Sequence, residues 1–186
     1  MRLEDRVTLL EDLLRHRWFG KYRGTVKSNE DDDQRGRIQV VVPAVTGTLE
    51  LWAMPCVPYA GPSVGFFSLP PEGAGVWIEF EGGDPSFPIW TGCFWADGEV
   101  PEDGDPEIRL WHTENVKLTL DDSSGTATLE NDDGTSLELA GDATLSASEA
   151  SVEVGTTGVT CASGQAGKVE VGAASVRVNS GSLEVV

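Results

Sequence analysis

Asp31-Asp32-Asp33-Gln34-Arg35-Gly36 comes closest, by residue type, to a metal site. Asp31 and Asp33 stand two apart, as in a calcium loop. Arg35 then occupies the next ligand position and no terminal glutamate follows, so a polar hairpin loop is the favoured reading. The acidic runs Asp121-Asp122 and Asp132-Asp133-Gly134 read as turns on the same grounds. The tandem G-G-x-G-x-D of calcium β-rolls is absent. A nucleophilic site would need His16 or His112, which both lie at segment ends, and no G-x-S-x-G elbow accompanies them. The plentiful carboxylates sit in turns rather than in a cleft of mixed polarity. Cys56 and Cys93 fall in strand-like segments and read as buried fillers. Cys161 alternates in phase with Val159. No catalytic, cofactor-binding or metal role is assigned, and a non-enzyme is expected.

Composition narrows the partners. The 186 residues carry 13 Lys and Arg against 31 Asp and Glu, a net charge of −18. That charge disfavours nucleic acid and anionic lipid, which both demand cations. No apolar run approaches the roughly 18 residues of a spanning helix. Acidic residues interrupt MRLEDRVTLLEDLL, so it reads as neither a secretory signal nor a transit peptide. Three cysteines give no disulfide framework and suit assembly in a reducing cytosol.

The elements that must position these residues differ between the two halves. Every Trp, Phe and Tyr lies at or before Trp111, and the last proline is Pro106. Residues 1–19 carry Leu3, Val7, Leu10 and Leu14 at steps of four, three and four, which predicts a helix, either packed on its own domain or serving docking or oligomerisation. Residues 20–96 predict strands at 20–28, 36–43, 50–58, 75–81 and 88–95, the strand number of a small OB-fold barrel. Val76, Ile78 and Phe80 face one side, and Trp77 and Glu79 the other. Pro43 is expected to end a strand, Pro88 to open one, and Gly92 to serve a bend that closes the barrel. Residues 97–111 read as a linker, acidic over 97–106.

Residues 112–186 form a string of short alternating segments, from VKLTL (116–120) to SLEVV (182–186), separated by Gly, Asp, Asn and Ser. Their leading apolar residues, from Leu118, Ala127 and Leu137 onward, recur every seven to ten positions. Such a unit cannot bury its apolar face alone, so stacking is required. The units are too short to enclose a single-chain solenoid core and contain no aromatic. An intertwined trimer with a narrow shared core is therefore expected. Leu145, Val152, Val154, Val159, Val169, Val171, Val176, Val178, Leu183 and Val185 are the expected axis positions.

GRIQVVVP (36–43) and PPEGAGVWIEFEGGDPSFPIWTGCFW (70–95), with Trp52 between them, resemble the OB-fold domain of contractile-tail spikes. These are the phage baseplate assembly protein V family and the related spikes of type VI secretion and extracellular contractile injection systems. The resemblance rests on Gly36, Arg37, Pro43, Trp52, Pro70, Gly73, Gly75, Val76, Trp77, Phe80, Gly83, Asp84, Pro85, Pro88 and Gly92. The repeats resemble the family's trimeric β-helical needle in pattern.

The resemblance implies a mainly β homotrimer of N-terminal helix, OB barrel and β-prism needle. It would dock on a trimeric hub at the tube end and pierce the target envelope mechanically, as part of a phage tail or injection particle. No lysozyme domain separates barrel from needle, and no H-x-H lies near the C-terminus. The implied tip is therefore a capping protein of the proline-alanine-alanine-arginine type, bound around residues 180–186. A nucleic-acid-binding OB-fold is disfavoured, because residues 41–106 contain no Lys or Arg and ten acidic residues. A carbohydrate-binding or adhesive trimeric fibre is the alternative, since surface Trp can stack on sugars.

Overall fold

In the segment GVWIEF, side chains alternate across the strand. Val76, Ile78 and Phe80 are all buried, Ile78 with no exposed surface. The computed structural model describes residues 2–164, 167–179 and 182–185. The chain divides between Val100 and Pro101 into two compact units.

The first unit begins with helix α1 (Leu3–Arg15), whose Asp5 carboxylate accepts the Arg2 N–H at 2.9 Å. Strands β1 (Tyr22–Ser28), β2 (Ile38–Val41), β3 (Glu50–Pro55), β6 (Gly75–Phe80) and β7 (Pro88–Phe94) then close a barrel in the order β1-β2-β3-β7-β6. All neighbours are antiparallel except β3 and β7. The core is Val26, Ile38, Val40, Val42, Ala53, Val76, Ile78, Phe80 and Trp90, with Trp18 and Tyr22 packed against it. This is the five-stranded OB-type barrel expected from the strand count.

Three local features depart from the sequence reading. The strand predicted at 36–43 stops at Val41, and Pro43 opens the short helix α2 (Pro43–Thr46) at its first turn, where the missing N–H costs nothing. A two-residue-strand hairpin, β4 (Ala60–Gly61) with β5 (Val64–Gly65), stands in what read as a connection. Cys56 and Cys93 are exposed rather than buried. Cys56 lies just past β3, and Cys93 lies beyond the last core residue of β7, Trp90.

Gly92 has φ 145° and sits where the β6–β7 register shifts, with Thr91 and Gly92 opposite Trp77 alone. Such a bulge bends the strand. Gly83, at φ 77°, admits no side chain: a Cβ there would meet the Phe19 ring at 3.0 Å and Arg17 Cβ at 3.2 Å. Its carbonyl accepts the Trp18 N–H at 2.7 Å. Asp84 beside it accepts the Ser86 N–H at 3.0 Å and pairs with Arg17 at 3.3 Å. Pro70, which is buried, accepts Asn29 Nδ2 at 3.1 Å, and Gly73 donates to the Val26 carbonyl at 3.0 Å.

The β1–β2 loop explains the imperfect calcium motif. Asp31 Oδ1 accepts Arg37 Nη2 at 2.5 Å and Nε at 3.1 Å, and Asp33 Oδ2 accepts Nη2 at 2.6 Å. Asp31 Oδ2 accepts the N–H groups of Arg35 and Arg37 at 2.8 and 3.2 Å. The guanidinium fills the place a cation would take, and it lies 5.2 Å from the Trp52 ring centre. Gly36 and Arg37 thus shape the loop on which Trp52 rests.

The second unit is one antiparallel sheet. Its strands are β8 (Ile108–His112), β9 (Val116–Asp121), β10 (Thr126–Asn131), β11 (Thr135–Leu139), β12 (Ala143–Ala147), β13 (Ala150–Gly155), β14 (Gly158–Ser163), β15 (Gly167–Gly172), β16 (Val176–Val178) and β17 (Leu183–Val185). Each pairs with its neighbours in sequence. All of β8 but its last residue falls within residues 97–111, the stretch read as linker. Its alternation, Ile108 and Leu110 against Arg109 and Trp111, was masked by the flanking prolines and acids. The turns use side-chain acceptors as expected: Asp121 takes the N–H groups of Ser123 and Ser124 at 2.8 and 3.2 Å. With the two serine hydroxyls, these bonds hold its carboxyl down to about 2.

The Arg37 hydrogen bonds hold the Asp31 carboxyl well below the usual carboxylate range. A depressed folded-state value contributes stability above the unfolded value of about 4, lost as pH falls below it. Asp31→Asn is therefore expected to lower the melting temperature at pH 7. The gap from wild type should narrow steadily below about pH 4. A gap constant from pH 7 to pH 2.5 would show that the carboxylate charge does not hold this loop.

Candidate functional site

In the second unit the register lines up chemistry rather than scattering it. One cross-strand row runs Trp111, Leu118, Leu129, Leu137, Leu145, Val152, Cys161, Val169, Val178, Leu183. A second row on the same face follows Arg109 with Leu120, Ala127, Leu139, Ala143, Val154, Val159, Val171 and Val176, and the register sets Val185 opposite Val176. Because the strands are antiparallel, the first apolar residue of a repeat can fall in either row. The ten expected axis positions all fall on these two rows.

The opposite face carries Thr119, Thr128, Glu138, Thr144, Glu153, Thr160, Glu170, Arg177 and Glu184 in its own row. Within one chain the burial is inverted. Thr119, Thr128, Thr144 and Thr160 are half-buried, whereas Leu120, Leu129 and Leu145 are exposed, Leu145 by 50%. Ten strands at about 4.8 Å make this apolar face about 43 Å long. A continuous apolar surface of that extent marks an association site.

The polar face is stabilised within the chain. Lys117 reaches Glu102 at 3.1 Å and Glu130 at 3.3 Å, and these carboxylates push its ammonium pKa up. Lys168 pairs with Glu170 at 2.8 Å on the same face. Arg109, at the start of the second apolar row, pairs with Asp122 at the turn. With these charges paired, the apolar face is the one that needs cover.

The other candidate residues are not brought together. His16 caps the end of α1 in the first unit, and His112 ends β8 in the second. Among the described residues no group of three or more His, Cys, Asp or Glu is placed to hold a metal ion. On the barrel, the β4–β5 hairpin borders an open cleft of about 490 Å³ lined by Tyr59, Phe66, Phe67 and Trp90 among others. It is aromatic and carries no acid–base pair. Of the segment expected to bind a cap, residues 180, 181 and 186 lie outside the described residues.

Comparison with known families assigns both units. Residues 22–95 match the model of the type VI secretion system/phage-baseplate injector OB domain. Residues 107–184 match that of the phage baseplate V C-terminal trimerisation domain. The second match begins at the foot of β8 and takes in both apolar rows up to Leu183. No curated protein matches the chain.

The two faces are expected to respond oppositely to charge. Val176→Asp puts a carboxylate in the apolar row, where burial by a partner would cost several kcal/mol. Ser146→Lys, on the polar face, should stay within about 0.5 kcal/mol of wild type. Sedimentation velocity should show the first variant dissociated and the second associated as wild type. Equal behaviour would mean that the apolar rows are not the contact.

Proposed function

Because this chain belongs to the phage baseplate V family, we propose that it is the central spike of a contractile tail or injection machine, acting as a homotrimer. The family is a structural component of phage tails and injectors. The observation that carries the proposal is the pair of apolar rows crossing ten strands, whose leucines and valines stand largely exposed among the described residues. Three such sheets, turned inward about a threefold axis, cover one another. Leu145, Val152, Val154, Val159, Val169, Val171, Val176, Val178, Leu183 and Val185 then line the axis, and the Thr, Glu and Lys face meets water.

Such a rod suits a mechanical task. Each layer is tied to the next by ladder hydrogen bonds within a chain and to the other two chains by packing. Local fraying under load is resisted at every level. Net charge of −18 per chain keeps the outer surface soluble and discourages side-by-side aggregation. The barrel, whose core is complete in one chain, would serve as the fixed end and dock on a trimeric hub. Its family-motif residues would maintain that platform: Gly75, Val76, Trp77 and Phe80 in β6, and Gly83, Asp84, Pro85, Pro88 and Gly92 around β7. The apolar rows run on to β17, which supports a tip protein of the proline-alanine-alanine-arginine type stacking there. Assembly would take place in the producing cell's cytoplasm. The target membrane would be met only by force.

The full chain should sediment at about three times its 19.9 kDa mass. Producer cells carrying Val176→Asp should yield particles that lack the spike in cryo-EM images and fail to breach target cells. A stable folded monomer would end the trimer reading. Normally penetrating particles from a strain deleted for this chain would end the spike reading.

A further inference from the structure

Among the described residues the stripe on α1 is uncovered. Leu3, Val7, Leu10 and Leu14 are all exposed, Leu3 by 75%. The chain just beyond the helix is fixed to the barrel. Trp18 packs against the core and donates its N–H to Gly83, while Arg17 reaches the Gly82 carbonyl and Asp84 at 3.3 Å. At 13 residues, α1 is near the length at which an isolated helix is marginal in water. Its stability therefore calls for a partner along the leucine stripe.

We propose that the three α1 helices of the homotrimer pack together as a parallel coiled coil, a second trimer contact separate from the apolar sheet faces. The inference rests on the homotrimer reading above. The spacing sets Leu3 and Leu10 at d positions and Val7 and Leu14 at a positions of a heptad. This mixture does not by itself choose between two and three strands, so the count comes from the trimerisation domain on the same chain. Trimerisation through that domain holds three copies of the helix in one particle, so their association becomes intramolecular.

The flanking charges choose the direction. Arg6 falls at g and Glu11 at the following e position, five residues apart. In a parallel bundle the g residue of one helix faces the e residue of its neighbour, so Arg6 meets a Glu11 at each of the three interfaces. An antiparallel pair would set like charges together. Cyclic threefold symmetry permits only the parallel arrangement.

Hydrogen exchange on the full-length chain tests this, with sedimentation run on every sample. In the wild-type trimer the amides of residues 7–14 should be protected. Arg6→Glu favours the dipole of an isolated helix, because it puts a negative charge near the N-terminus. It should nevertheless speed exchange by about tenfold or more, because the new carboxylate faces Glu11 of the neighbouring helix. The double variant Arg6→Glu/Glu11→Arg should restore protection. Residues five apart do not face each other on one helix, so this rescue reports contact between chains. A trimer whose α1 exchanges like a free helix would overturn the proposal. So would single and double variants that exchange alike. A monomeric mass for wild type would instead overturn the homotrimer reading, and this contact with it.

Discussion

A sheet needs something against its apolar face, and the described residues of the second unit leave that face largely exposed. Its ten strands satisfy their ladder hydrogen bonds with their neighbours in sequence, so the backbone is content in a single copy. The side chains are not. Leucines and valines stand exposed on one face while threonines on the other are half-buried. The imbalance can be resolved only by another surface of matching pattern, and another copy of the same sheet has it. The match of this unit to a trimerisation domain agrees with that need.

The barrel is built on the opposite principle. Val26, Ile38, Val40, Val76 and Ile78 are fully enclosed by one chain, and large aromatic side chains fill the space around them. Closure of five strands removes exposed edges, and the Gly92 bulge bends β7 within that closed sheet. The Arg37 guanidinium in the β1–β2 loop joins two carboxylates and a tryptophan ring, so the acidic loop is tied by its own cation. One unit supplies a rigid body complete in each copy. The other supplies a surface that is complete only in several.

Much of this was legible in residue order. The loss of aromatics and prolines after Trp111 separated two kinds of construction. The five barrel strands were located to within a few residues, because alternation in segments such as GVWIEF is a direct imprint of one buried face. The repeat segments were located for the same reason. β8 was missed, because Trp111 and the nearby prolines belong by composition to the first half while the strand pairs with the second. The β4–β5 hairpin was missed because two-residue strands leave no periodic signal. The exposure of Cys56 and Cys93 was also missed, since a residue at the edge of a strand has the same composition as one at its centre.

By itself, the sequence determined the local periods: which residues share a strand face, which turn, and that the repeats must stack. It determined these because period-two alternation and turn chemistry are set within a few residues. Only the tertiary structure decided the register, which gathers leading and trailing apolar residues from ten antiparallel strands into two unbroken rows. Only it decided that Asp31 and Asp33 spend their lone pairs on Arg37, and that the leucine stripe of α1 is left open. Those outcomes depend on which distant segments meet, and no local pattern carries that information.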